Sequence, residues 1–325
     1  MIQLLRNKYI LVYLVIYFTS LSILYFLFHQ PLMDLLPVFL CVGVAFSTIA
    51  WLLVKNCNPL VPERAAFKNE WLIIAGLVLY FLFYVTFGTS FINKLLSSSV
   101  MEVKWKSEIV VLIKKLIVFV VIPFLVYKSF GFSLKDFGLR ISIKEAFSRK
   151  SILIFTVLSM AVLLFQYFLS GGAKPIREGQ FTIKQLMTGL PLLFLWLVIE
   201  AGLVEEFFFR AILQSRIAVL LKSQVAGIII SGLIFGLAHA PGLFLRGAES
   251  EGISESLPLY FWAAYTICAM SLAGIFLGIV WSRTKNLYLV MAIHAMVDLL
   301  PNADDFFRTW NVWEVTVWFG AMLVL

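Results

Sequence analysis

Apolar residues run through this chain in long unbroken blocks rather than in the short alternations of a soluble domain. Ile10–Phe28, Leu35–Val54, Trp71–Phe91, Ile152–Leu169 and Tyr260–Trp281 each approach the ~20 residues with which a helix crosses ~30 Å of hydrocarbon. A further block, Ile109–Val126, is interrupted by Lys114–Lys115, a pair that can snorkel if the span begins as an interfacial amphipathic stretch. From Pro191 the pattern predicts one long helix through Glu200, Glu205, Arg210 and Arg216 to Leu221, with Gly202 as its weak point. Lys222–Gln224 then make a turn. A second helix follows over Val225–Ala240, stopped by Pro241-Gly242, and a third over Leu287–Leu300. Between spans, Lys128–Lys150 mixes basic and apolar residues without Pro and predicts a helix on the membrane surface. The expected fold is all-α, a polytopic transmembrane helix bundle of about 9–10 spans.

Composition agrees with the pattern: 62% of the 325 residues are hydrophobic and 14% charged, against roughly 25% charged in an ordinary soluble domain. The net charge of +8 would suit nucleic acid only if it formed one soluble face; it lies instead in the loops between spans, so no nucleic-acid partner is expected. With the amino terminus in the cytoplasm, Arg6 and Lys8, then Lys55, Arg64 and Lys68, then the Lys128–Lys150 loop, then Arg283 and Lys285 all fall inside. The opposite loops are poorer in cations: Pro241–Ser256 sets one Arg against Glu249, Glu251 and Glu255. The chain thus reads as a multi-pass cell membrane protein whose first span is a retained anchor, being too long for a signal-peptide core. Cys41, Cys57 and Cys268 have no metal-ligand or redox spacing and read as packing residues.

The chain divides by content, not by linkers. Residues 1–184 hold spans with few ionisable groups, residues 185–300 concentrate acids and histidines in apolar helical sequence, and residues 301–325 form a last transmembrane segment. An ionisable residue in a span costs at least ~2.5–3.5 kcal/mol by insertion scales, so such residues are rare unless paired or functional. Of three histidines, His29 follows Phe28 at a span end, where an interfacial or capping role is the default. The other two lie among the acids. Glu206 and Arg210 have the i, i+4 spacing of a structural ion pair, which leaves Glu205 available as a base. His239 lies three residues from Gly236 and seven from Gly232, small residues whose spacing lets two helix backbones approach closely. At ~1.5 Å per residue Glu205 and His239 lie about 25 and 21 Å from the intervening turn, so they can meet. His294 and Asp298 are one turn apart on the next polar-bearing helix. Taken singly, each is more often a charged helix end or a satisfied core residue; together on three neighbouring helices they form a site.

Glu205-Glu206-x-x-x-Arg210, Phe235-x-x-x-His239 and His294-x-x-x-Asp298, in that order, resemble the three motifs of the CAAX-protease and bacteriocin-processing membrane proteins. The resemblance covers about residues 185–300 and implies a helix bundle around a wet cavity in which peptide bonds of a membrane protein or peptide are hydrolysed. It assigns Glu205 and His239 to the activation of water, and His294 with residue 298 to the oxyanion. Asp298 stands where the family more often has Asn, and an ionised Asp cannot donate a hydrogen bond to an oxyanion. Glutamate catalysis without a cofactor is the favoured reading. The alternative is zinc on Glu205, His239, His294 and Asp298, an N₂O₂ donor set, although no His-Glu-x-x-His is present. The non-enzymatic alternatives are a membrane scaffold or immunity protein, or an ion- or proton-coupled transporter; the absence of inverted repeats counts against transport.

Overall fold

The computed structural model describes residues 7–88, 104–139, 141–246 and 257–309. Among these the ordered elements are helices, eight of them long and apolar enough to cross a membrane: α1 Lys8–Phe28, α2 Leu32–Val54, α3 Glu70–Phe87, α4 Ile109–Lys128, α5 Arg149–Phe168, α6 Ile183–Leu220, α7 Gln224–Arg246 and α8 Leu259–Thr284. A shorter apolar helix, α9 Leu287–Leu299, and α10 Ala303–Thr309 complete the set. The protein is a polytopic, multi-pass membrane protein. Residues 89–91 of the third expected span and most of the carboxy-terminal segment, from residue 310 on, lie outside the described residues.

Short connections make successive helices antiparallel, so the loops gather at two ends. At one end the α2–α3 loop, the α4–α5 loop, the α6–α7 turn and the α8–α9 turn are tied together. Glu70 and Arg216 form a buried ion pair (Nη2 to Oε2, 2.8 Å), and Arg216 also donates to the Arg64 carbonyl at 2.9 Å. Lys285 meets Glu63 at 2.9 Å, and Gln224 donates to the same carboxylate at 2.8 Å. Burial is the largest single influence on the Glu63 carboxyl and would raise it, but the charge and hydrogen bond of Lys285, the Gln224 amide and the Arg216 charge together outweigh it and hold the group below its ordinary value. The stability this pair contributes is therefore present at neutral pH and is lost only as pH falls through that lowered value. At the opposite end Arg308 of α10 pairs with Asp304 and donates to Gln180, and Gly172 packs against Pro301.

Three expectations are corrected. Pro241 does not stop α7, which runs on to Arg246; helices packed in a membrane tolerate proline because neighbouring groups satisfy the freed carbonyl. The long helix starts at Ile183, not Pro191, because Thr182 and Gln185 form a capping box. Its 38 residues would span about 57 Å as an α-helix, so its first turns, with exposed Lys184, Gln185 and Thr188, stand beyond the hydrocarbon. The Lys128–Lys150 stretch is not one surface helix but short turns at Leu134–Phe137 and Ile143–Ala146. Gly131 and Gly138, both at positive φ, break it, and Ser133 and Ser142 start each turn anew.

The heart of the bundle is the contact of α7 with α8. A Cβ on Gly236 would lie 2.9 Å from the backbone nitrogen of Ser271 and 2.9 Å from the carbonyl of Thr266, and one on Gly232 would lie 3.2 Å from the Ile275 nitrogen. The backbones thus meet where the Gly232 and Gly236 spacing places them. Gly202, read from sequence as a weak point, does the same for α6 and α9: a Cβ there would sit 2.8 Å from the Met291 carbonyl. His29 caps α1 in the left-handed region (φ 54°) and is exposed.

Candidate active site

Within α6, wide π-helical turns over Val198–Leu203 and Phe207–Gln214 bracket the three residues Val204–Glu206. Such turns recur at functional sites. The two neighbouring acids leave the helix in different directions. Glu206 turns inward, fully buried, with Oε2 2.9 Å from Nε of Arg210, which is likewise fully buried. That contact is an ion pair without hydrogen-bond alignment. Arg210 is held further by Ser231 (3.3 Å), whose hydroxyl donates to the Phe209 carbonyl, and by the face of Phe235, 4.9 Å away. Glu205 turns the other way, onto the wall of a cavity of about 880 Å³.

His239, His294 and Asp298 line the same cavity. Nδ1 of His294 lies 2.7 Å from Oε1 of Glu206, while its Nε2 is 3.3 Å from Oδ2 of Asp298 and 3.9 Å from Oε2 of Glu205. Each ring nitrogen of His294 thus faces a carboxylate acceptor, which makes each an N–H donor. His239 has its Nδ1 2.8 Å from the Phe235 carbonyl. A carbonyl only accepts, so Nδ1 carries the proton and the lone pair of a neutral His239 is left on Nε2. Phe235 spaces the two rings, with centroids 4.9 Å from His239 and 5.9 Å from His294. Glu205 Oε2 is buried without a hydrogen-bond partner, an arrangement that leaves a carboxylate oxygen for a water or a substrate.

Residues 187–300 match a family model, that of the type II CAAX prenyl endopeptidase Rce1-like proteins. This segment is similar to the CAAX proteases. No curated protein and no solved structure matches the chain. The matched segment contains Glu205, His239, His294 and Asp298, but it does not make the cavity alone. Val42 and Phe46 of α2, Lys115 of α4 and Phe165 of α5 also line it, and all precede the segment.

Sequence reasoning missed three features of this site. Lys115 does not snorkel; its ammonium contacts the Glu200 carboxylate at the cavity wall. The signal was there, since a lysine in an apolar block needs an acid, and Glu200 is one within the neighbouring long helix. Glu206 serves His294 as well as Arg210, which spacing along one helix cannot reveal. Asn302 and Asp305, just beyond α9, reach the cavity mouth. The donors are of the right kind for zinc, and the contact of His294 Nδ1 with Glu206 leaves Nε2 toward the cavity; among the described residues, however, no three His, Cys, Asp or Glu side chains are set to hold one ion.

Proposed function

We propose that this chain is an intramembrane endopeptidase that cleaves a peptide bond of a membrane-associated protein or peptide, with Glu205 as the general base. The observation that carries this reading is the unpartnered Glu205 Oε2 on the cavity wall, facing His294 Nε2 across 3.9 Å. Water held by Glu205 and the Nε2 lone pair of His239 attacks the scissile carbonyl carbon, and its proton passes to Glu205. The oxyanion that forms accepts a hydrogen bond from His294 Nε2–H, whose ring is fixed from behind by Glu206. Collapse breaks the C–N bond, and Glu205 returns the proton to the departing amine, leaving a free amine and a carboxylate. The apolar lining from α2 and α5 suits a hydrophobic stretch of substrate lying beside the carboxylates. The test is a comparison of membrane-protein termini in cells carrying the wild type or Glu205→Gln: fragments present only with the wild type identify the substrate. Identical termini in both strains would remove the protease reading.

Asp298 acts through His294, orienting Nε2–H. Asn keeps an acceptor for that N–H and adds an N–H₂ donor of its own, so Asp298→Asn is expected to retain or raise turnover of the substrate so found. The activity is expected to resist a strong chelator in both proteins. Were Asp298 a zinc ligand, its loss would lower metal affinity by at least the ~10–100-fold seen for groups that merely orient ligands. A stoichiometric metal that leaves together with activity overturns the assignment.

We also propose that the end tied together by Glu70–Arg216 and Glu63–Lys285 faces the cytoplasm, because the basic loops of the sequence gather there. In a variant with Cys41, Cys57 and Cys268 replaced by serine, a cysteine at Gln180 is expected to react with an impermeant maleimide on intact cells, and one at Ser223 only after lysis. The reverse pattern inverts the topology.

A further inference from the structure

Lys115 stands on α4 between Val111 and Phe119, in apolar sequence where an ammonium persists only against water or an anion. It has an anion, since it contacts a Glu200 carboxylate oxygen, and it lines the cavity. Glu200 belongs to the wide turn of α6 just before Glu205 and lines the same wall. Glu205 lines that cavity too, so the ammonium and the Glu205 carboxylate open onto one space.

The charges around the site leave Lys115 a defined part. Four carboxylates meet here: Glu200, Glu205 and Glu206 from α6 and Asp298 from α9. Glu206 is met by Arg210 and by His294 Nδ1, and Asp298 by His294 Nε2. Glu205 shares the last nitrogen at 3.9 Å and feels the charge of Arg210 from the next turn. From α7 it is faced across the cavity by His239, from the cavity mouth by Asp305, and from α3 the Tyr84 hydroxyl lies near Lys115. Lys115 is thus a cation brought to the Glu200–Glu205 side of the site by a different helix.

We propose that Lys115 is a positioning residue whose ammonium, steadied by Glu200, keeps Glu205 in the carboxylate form that can take a proton from water. The inference rests on the reading of Glu205 as the base. An opposite charge within ~4–6 Å favours the charged form of a carboxyl group, and a like charge disfavours it. Lys115 and Glu200 therefore act on Glu205 with opposite signs. Removing Glu200 also frees the ammonium to turn wholly toward Glu205.

Glu205 can be read without any substrate. In purified protein in lipid nanodiscs, the infrared band of a protonated carboxyl group that Glu205→Gln removes is the Glu205 signal, and its midpoint is followed against pH. In Lys115→Met the midpoint is expected to rise by about one pH unit or more, and in Glu200→Gln to fall. Lys115→Arg keeps the charge and is expected to return the midpoint toward wild type. If Lys115→Met does not fold, the double variant Lys115→Met/Glu200→Gln, which strands neither charge, is compared with Glu200→Gln alone, and its midpoint is expected to lie higher. Unmoved midpoints on losing Lys115, or shifts of the same sign for Lys115→Met and Glu200→Gln, overturn the inference. An inactive Glu205→Gln with unmoved midpoints discards the role of Lys115 only; an active Glu205→Gln discards the base reading whatever the midpoints do.

Discussion

Glu205→Gln is expected to leave the protein folded and to lower peptide-bond hydrolysis by about 10²–10⁴-fold, the contribution of a well-placed general base. The amide has the shape of the carboxylate but cannot take a proton from water. Little stability should change, because Glu205 Oε2 makes no hydrogen bond and its nearest ion-pair partner, His294 Nε2, is 3.9 Å away. The measurement is turnover of the identified substrate alongside thermal unfolding in the same detergent. If Glu205→Gln cleaves at the wild-type rate, the base must be sought elsewhere. If it loses activity only by failing to fold, Glu205 is structural.

The opposite balance is expected one residue on. Glu206 and Arg210 are both wholly buried, and Glu206 also accepts from His294. Breaking a buried pair from one side strands the other charge, at a cost of about 3–5 kcal/mol. Glu206→Gln and Arg210→Ala should therefore lower the melting temperature and the yield of folded protein, and whatever folds should lose activity through a loosened His294. Glu206→Gln keeps an acceptor for His294 Nδ1, so it should be the milder of the two. Equal stability of Glu205→Gln, Glu206→Gln and Arg210→Ala would contradict this division between a base and a scaffold.

The sequence made the helical membrane architecture legible because burial in lipid needs long apolar blocks, and these are visible without any tertiary knowledge. The spacing of Glu206 and Arg210, and the small residues Gly232 and Gly236, were legible for the same reason: they are periodicities within one helix. What spacing could not supply was contact between helices. Lys115 reads from its own helix as a residue that can reach the surface, but its partner Glu200 lies 85 positions away in sequence. Gly202 reads as a weak point because a glycine lowers helix stability unless something packs closely on it, and what packs there is α9. Pro241 reads as a stop by the behaviour of helices in water, where a freed carbonyl has no reason to stay inside a helix.

The cavity that holds Glu205 is walled partly by α2, α4 and α5, outside residues 187–300. The residues proposed to handle protons and the oxyanion and the apolar walls from α2 and α5 then come from different stretches of the chain. Exchanges at Val42, Phe46 or Phe165 can reshape what fits beside the carboxylates while every residue proposed to handle protons and the oxyanion stays in place. The same division means that a fragment starting near residue 185 would carry the polar groups but open their chamber to lipid on one flank. The helices that precede residue 187 along the sequence are, in three dimensions, part of the vessel in which the reaction is proposed to occur.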